Sequence, residues 1–327
     1  MGTNPIDFIK RVGKGKTLSQ HLSIVEAREA FSMVLQGVFS PVQLGAFLQA
    51  LRIHELSQEE LDGLIQTFHA QTNLASPLSG SKSLVLNMAS DTPRKGGLVS
   101  LLAAHLLGRF GVGVGLIRSA PVLSGNKASF DQTLILAKGF DPTGPLFPFD
   151  GNSVPGPSIV NCGDSVQNLS SLDSLRSELG FRSCLHTAEK LVNPWPTSPM
   201  LLGISHKHYA MRMAQTMASM GLFGAILLGN HGTVDLVLHK ETEYILIDKQ
   251  GITEKSISPE ALGLRPSPEI YTLGKFPDWE QWLTGSRDNG LFQAVQYHLA
   301  VFLSLSGTVS SPVEGLALAR SVIPKLF

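Results

Sequence analysis

The amino-acid sequence predicts an α/β protein, with a helical first quarter followed by a larger unit built on a mainly parallel sheet. Three observations carry that prediction. Serine–glutamate capping pairs and apolar residues at helical spacing fill residues 23–68. Beyond residue 82, short apolar runs alternate with helical stretches, the order that builds a parallel sheet covered by helices. Apolar residues make up 43% of the 327 and charged residues 16%, which supplies a buried core and is too few charges for a disordered chain.

The elements follow in order. Ser23 with Glu26 starts a helix whose buried stripe is Ala27, Ala30, Phe31, Val34 and Leu35, stopped by Gly37. Ser40 and Pro41 suit an N-cap and first helical position, with Leu44, Phe47, Leu48 and Leu51 behind them. Ser57 with Glu60 opens a third helix, stapled by Leu56 and Leu61 and continued by Leu64, Ile65 and Phe68. The apolar runs Leu84–Leu86, Val112–Ile117, Ser158–Val160, Met200–Ile204 and Phe223–Leu228 read as strands. Leu98–Leu107, Phe130–Ala137, Ser171–Leu191 and His208–Met220 read as helices. Short strands are expected over Glu241–Ser258, and late helices over Leu291–Leu305 and Val313–Ile323, the second behind Ser311 and Pro312.

Composition excludes several classes. Lys plus Arg equal Asp plus Glu at 26 each, so no global field drives the chain toward nucleic acid or an anionic membrane. Cys162 and Cys184 form no disulfide framework or zinc spacing, which points to a reducing, cytoplasmic setting. Met1–Thr17 is basic but lacks a following apolar stretch, so it does not read as a secretory signal. No apolar run approaches the roughly 20 residues of a membrane span. Gly15-Lys16-Thr17 lacks the upstream glycine and strand of a P-loop, and Gly111-Val112-Gly113-Val114-Gly115 leads into a strand instead of a helix. His206 and His208, two apart, do not share a helix face for metal chelation.

Three segments, in order along most of the chain, resemble the anthranilate phosphoribosyltransferase family of the glycosyltransferase family 3 fold. They are Leu44–Leu51 with the helix after it; Leu179-Gly180-Phe181-Arg182-Ser183-Cys184-Leu185-His186 leading to Leu191-Val192-Asn193-Pro194; and Leu202-Gly203-Ile204 through to Gly229-Asn230-His231-Gly232. Ser311-Pro312-Val313-Glu314-Gly315-Leu316 is similar to the family's closing helix. Within the family, His186-Thr187 and Lys190-Leu191 resemble the YbiB-like group, from whose pattern Cys184 and Glu189 depart. The resemblance implies a small all-helical domain, residues 1–72 with 164–196, beside an α/β domain, residues 73–163 with 197–327. It also implies an active-site cleft between the two and a homodimer formed through the helical domain.

Set against the family's motifs, the phosphate and metal sites are degenerate. Where the family has a Gly-rich pyrophosphate turn, this chain reads Asn87-Met88-Ala89-Ser90-Asp91-Thr92-Pro93-Arg94-Lys95-Gly96-Gly97. Asp91 and Gly96 remain of that loop, and Arg94 and Lys95 either bind anions by charge or belong to an ordinary solvated loop. In the second phosphate loop, Ile117–Lys127, Arg118, Asn126 and Lys127 leave a weak basic character, which either binds anions or is simply solvated. The family's adjacent carboxylates for magnesium are reduced to Asp235, a poor metal site whose other reading is a surface or capping Asp. Arg182 matches the arginine that in the family meets the anthranilate carboxylate, and equally suits a nucleic-acid phosphate or a helix contact. His186 reads as a hydrogen-bonded histidine at the domain junction.

Two functions follow as expectations. The YbiB likeness and the basic replacements imply a dimer that binds nucleic acid, single-stranded DNA or RNA, through Arg94, Lys95, Arg118, Lys127, Arg182 and Lys190, without sequence specificity, cofactor or membrane. The alternative is a phosphoribosyl or glycosyl transferase of altered substrate, using magnesium, with the standard anthranilate reaction disfavoured by the lost motifs.

Overall fold

The computed structural model describes residues 4–15, 17–89, 99–119, 156–228, 232–265 and 290–322. The expected helix Phe130–Ala137 and site residues Asp91, Arg94, Lys95, Gly96 and Lys127 lie outside them.

The first quarter is helical: α1 (Pro5–Val12), α2 (Ile24–Leu35), α3 (Pro41–His54) and α4 (Gln58–Ala70). Ser23, Ser40 and Ser57 each cap the next helix through the N3 amide, and Glu26, Gln43 and Glu60 return the bond to the cap amide. Helix α1 was not expected from the sequence. Its signal is the same in kind: Asn4 accepts the Ile6 N–H at 3.0 Å, Asp7 accepts the Asn4 N–H at 3.3 Å, and Pro5 starts the helix. Eight residues with only Phe8 and Val12 as large buried side chains are too few for periodicity to reveal.

Seven strands form one sheet in the order β3-β2-β1-β4-β5-β6-β7. They are β1 (Lys82–Asn87), β2 (Val112–Arg118), β3 (Ser158–Asn161), β4 (Met200–Ile204), β5 (Gly224–Leu228), β6 (Thr242–Asp248) and β7 (Gly251–Ile257). The first five are parallel, and β6 and β7 add an antiparallel edge. Helix α5 (Val99–Leu107) connects β1 to β2, and Gly111, at φ +72°, turns the chain into β2.

Expected as one helical stretch, 171–191 is instead broken. A short α6 (Cys162–Ser165) and a 3-10 turn precede it, then come α7 (Leu175–Leu179) and α8 (Cys184–Glu189). Gly180, at φ +68°, takes the left-handed conformation that ends α7 and redirects the chain. Helix α9 (Lys207–Ser219) follows β4, and α10 (Gly290–Leu305) with α11 (Pro312–Val322) closes the fold. No helix among the described residues is long and apolar enough to cross a membrane.

The sheet divides the core. On one face Leu84, Leu86, Val114 and Leu116 pack with α5, α10 and α11 through Leu102, Tyr297 and Phe302. On the other, Val85, Ile117, Leu202 and Ile226 join Trp195, Met213 and Met217, and this core runs on into the helical bundle through Phe31, Phe47 and Phe68. Gly115 lets the Trp195 ring lie flat on β2, since a Cβ there would stand 2.6 Å from ring carbons.

Candidate functional site

Because the first five strands are parallel, their C-terminal ends share one edge: Asn87, Arg118, Asn161, Ile204 and Leu228. Strands β2 and β3 lie to one side of β1, and β4 and β5 to the other, so the order reverses between β1 and β4. In open α/β sheets such a crevice, outside the carboxyl ends of the strands, is where ligands bind.

Two consecutive residues fill that crevice. Asn87, at the end of β1, donates through Nδ2 to the Glu189 carbonyl at 3.0 Å and to the Val192 carbonyl at 3.2 Å. Ser119, just past β2, donates to the Glu189 carboxylate. Cys162, just past β3, lies with Sγ 3.5 Å from the Glu189 carbonyl oxygen. Lys190 Nζ donates to the carbonyls of Gly203 in β4 at 3.0 Å and of Gly232, in the turn after β5, at 3.1 Å. Glu189 and Lys190 therefore meet groups at or just past the ends of β1 to β4, and Gly232 in the segment that follows β5.

Close backbone approach makes the Lys190 contact geometry available. A Cβ on Gly203 would stand 2.0 Å from the Thr233 carbonyl oxygen, so β4 and the Gly232 turn meet main chain to main chain. His69 Nε2 donates to the Leu191 carbonyl at 2.8 Å, which ties α4 to the same segment.

Both side chains keep some accessible surface, yet protein surrounds their charged ends densely enough to perturb them. Burial pushes the Glu189 carboxyl up to about 7; Asp173 adds to the rise, and the Ser119 bond and Lys190 oppose it. Burial likewise pulls the Lys190 ammonium down to about 8, helped by Arg182 and opposed by Glu189 and Cys162. The Cys162 thiol is driven upward by burial and then by Glu189 and Asp173, so it is a thiol and not a nucleophilic thiolate.

Of the sequence-predicted residues, Lys190 is at this centre. Arg118 is at the end of β2, its Nε 2.5 Å from Asn161 Oδ1, and Asn161 donates on to Asp164 at 2.7 Å. Arg182 is exposed, near enough for its charge to depress both Lys190 and His186, and its carbonyl accepts from Arg52 at 3.1 Å. His186 accepts the Ser183 N–H at 3.2 Å, a hydrogen-bonded histidine that caps α8.

Asp235 lies elsewhere and does other work. It is 3% exposed, so it is no surface residue; Oδ1 accepts the Ser100 N–H at 3.2 Å and caps the start of α5. His298 Nε2 lies 3.8 Å away. That ring donates from Nδ1 to Ala294 at 2.7 Å and accepts the Leu236 N–H at Nε2 at 2.8 Å, so it is neutral and makes no ion pair. Burial holds His298 below its usual range, in agreement. A magnesium ion wants a carboxylate pair, and the described residues contain no group of three His, Cys, Asp or Glu side chains able to hold a metal. Asp235 offers one carboxylate, with Oδ1 committed to a helix cap and Oδ2 buried without a hydrogen-bond partner among the described residues.

Sequence reasoning missed Glu189, Asn87, Ser119 and Cys162 as parts of the centre. The one local signal was the adjacent charged pair Glu189-Lys190 between Ala188 and the apolar Leu191-Val192. A separate cavity of about 180 Å³ lies at the opposite edge of the sheet among Leu78, Gly80, Gly111 and Val112, with no ionisable side chain in its lining.

Comparison with known proteins agrees with this fold. Residues 6–71 match the glycosyl transferase family, helical bundle domain, and residues 166–325 match the glycosyl transferase family, a/b domain. An uncharacterized protein of Aquifex aeolicus is 27% identical over 318 residues, covering 94% of this chain and 95% of that one. The uncharacterized protein YbiB of Escherichia coli is 24% identical over 320 residues, covering 95% and 97%. Anthranilate phosphoribosyltransferase from Saccharomyces cerevisiae, in complex with PRPP and Mg, superposes with a TM-score of 0.74 at 17% identity, over 98% of this chain and 94% of that one. With both domains matched in order and the strand-end crevice in place, the chain belongs to the glycosyl transferase family, with an anthranilate phosphoribosyltransferase-like fold close to YbiB.

Proposed function

We propose that the crevice at the strand ends binds a phosphate-bearing sugar donor, and that the chain is a phosphoribosyl or glycosyl transferase of altered substrate. The observation that carries this reading is the Lys190 ammonium, fixed by the Gly203 and Gly232 carbonyls at the switch point of the sheet. It leaves one N–H for a ligand oxygen. Arg182, whose charge reaches Lys190, and Arg118, bonded to Asn161 at the end of β2, add positive charge. The yeast relative's structure holds PRPP and Mg, which supports a donor of this kind. Since Asp235 is committed to α5, donor phosphates here meet side-chain cations, and no step is assigned to a metal. Asp91, Arg94, Lys95 and Gly96 stand in the sequence between β1 and α5, and Lys127 follows β2, all outside the described residues.

A second reading is binding of a nucleic-acid backbone. It rests on the same cations, Lys190 with Arg182 near it and Arg118 at the end of β2, which suit phosphodiesters that need no metal. A homodimer through the helical unit (residues 1–72 with 164–196) would align two such edges. Leu18, Val25, Val38 and Val42 leave exposed apolar surface on that unit for a second copy. Cys162 and Cys184 are both free, in accord with a reducing cytoplasm.

Calorimetric titration with phosphoribosyl pyrophosphate, with and without magnesium, tests the first reading. Parallel titrations with labelled single-stranded DNA, double-stranded DNA and RNA at several salt concentrations test the second. Saturable donor binding weakened by Lys190→Met supports the transferase. Salt-sensitive nucleic-acid binding with no donor binding overturns it in favour of the backbone reading.

A further inference from the structure

Among the described residues, Glu189 is the carboxylate held directly by the strand-end groups, and its position is fixed from both ends. Its carbonyl is held by Asn87 at 3.0 Å, and its carboxyl by Ser119. A carboxylate here opposes the very ligand that Lys190 would attract. An uncharged acid does not, and the Ser119 hydroxyl, able to donate or accept, can serve either form.

We propose that Glu189 sets the affinity of the anion site by its protonation: as an acid it leaves the Lys190 charge unopposed, and as a carboxylate it repels a phosphate-bearing ligand. This rests on the crevice being an anion site, as proposed above. The step is a proton equilibrium alone, with the proton exchanged between the Glu189 carboxyl and solvent.

The charged and titratable neighbours of Glu189 support that role. On its own segment are Lys190, His186 and Arg182; from the end of β2 comes Arg118; from α6 and beyond come Cys162, Asp164 and Asp173; and from α4 comes His69. Asp173 and burial favour the acid, while the Ser119 bond and Lys190 favour the carboxylate, and the first pair prevails. The switch therefore falls near neutral pH, unlike the ordinary glutamate range of about 4.3. His186 and His69 are both held below the usual histidine range by burial, so they carry little of a change near pH 7. Lys190 itself loses its proton only around 8, above the window that Glu189 governs.

The probe is inorganic sulfate, a tetrahedral dianion that does not titrate between about pH 5 and 8, measured by calorimetry on the full chain and on Glu189→Gln. Glutamine keeps a partner for Ser119 and removes the charge. The native chain is expected to bind sulfate about tenfold more weakly at about pH 7.5 than at about pH 5.5, and Glu189→Gln to bind it equally at both. The same loss of affinity in both chains overturns the switch and leaves the anion site standing. No sulfate binding by either chain at about pH 5.5 overturns the anion site and the switch with it. Should the glutamine chain not fold, carbon-13 NMR of glutamate-labelled native protein reads the carboxyl directly. One glutamate titrating near 7 supports the proposal, and all of them titrating in the ordinary range of about 4.3 overturn it.

Discussion

Replacing Glu189 by glutamine should change the stability of the protein in a pH-dependent way, and both the sign and the size follow from its surroundings. The carboxyl titrates near 7 in the folded chain against 4.5 as its reference. Between those values the unfolded chain has lost the proton and the folded chain still holds it. The folded state binds more protons, so stability falls as pH rises through this window. At about 1.4 kcal/mol per pH unit, the loss across the window amounts to about 3 kcal/mol. Glutamine has no proton to lose and escapes it. Urea denaturation of both chains at about pH 4.5 and about pH 7.5 measures the difference by linear extrapolation. Relative to the native chain, Glu189→Gln should gain about 3 kcal/mol on going from the lower to the higher pH. An unchanged difference between the two chains would refute the assignment of a buried, elevated Glu189.

Three further outcomes are expected. Lys190→Met removes the donor shared by the Gly203 and Gly232 carbonyls, so sulfate affinity should fall at least tenfold at about pH 5.5, and hydrogen exchange at Thr233 should quicken as the turn loosens. Gly203→Ala puts a Cβ 2.0 Å from the Thr233 carbonyl oxygen, where only main chain can yield, and should cost about 3 kcal/mol in urea unfolding; a neutral result would mean that β4 and the turn are not in contact. Asp235→Ala removes the cap of α5 and should cost about 1–2 kcal/mol, with magnesium affinity by calorimetry unchanged; a lost magnesium site would restore Asp235 as a ligand.

Helices α2, α3 and α4 were legible because their signals are local. Ser23, Ser40 and Ser57 each sit three residues before the partner that completes the cap. The strands at Leu84, Val112, Met200 and Phe223 were legible for a similar reason, since apolar runs of this length between turn residues allow few other structures. Residues 171–191 were read as one helix because Leu175, Leu179 and Leu185 keep apolar character throughout, and Gly180 breaks the chain by backbone conformation alone. The site was half legible. Lys190 and Arg182 could be picked out as cations, but Asn87, Ser119 and Cys162 meet Glu189 from 102, 70 and 27 residues away, and no spacing in the sequence announces that. The same holds for Asp235, whose bond to Ser100 spans 135 residues.

The chemistry of strand ends explains why the pair at 189–190 matters more than its size suggests. The C-terminal edge of a parallel sheet presents carbonyl oxygens, which repel phosphate unless something of opposite polarity intervenes. Proteins of this architecture usually supply it with glycine-rich loop amides, and the corresponding stretch of sequence here, Asn87–Gly97, has glycine only at its last two positions. Lys190 performs the inversion with a side chain: two of its protons satisfy the Gly203 and Gly232 carbonyls, and its charge faces the crevice. An ammonium held this way brings its own charge and keeps it up to about pH 8. Release below that pH falls to a neighbour, and Glu189, poised to change charge near neutral pH, is the group in position to provide it.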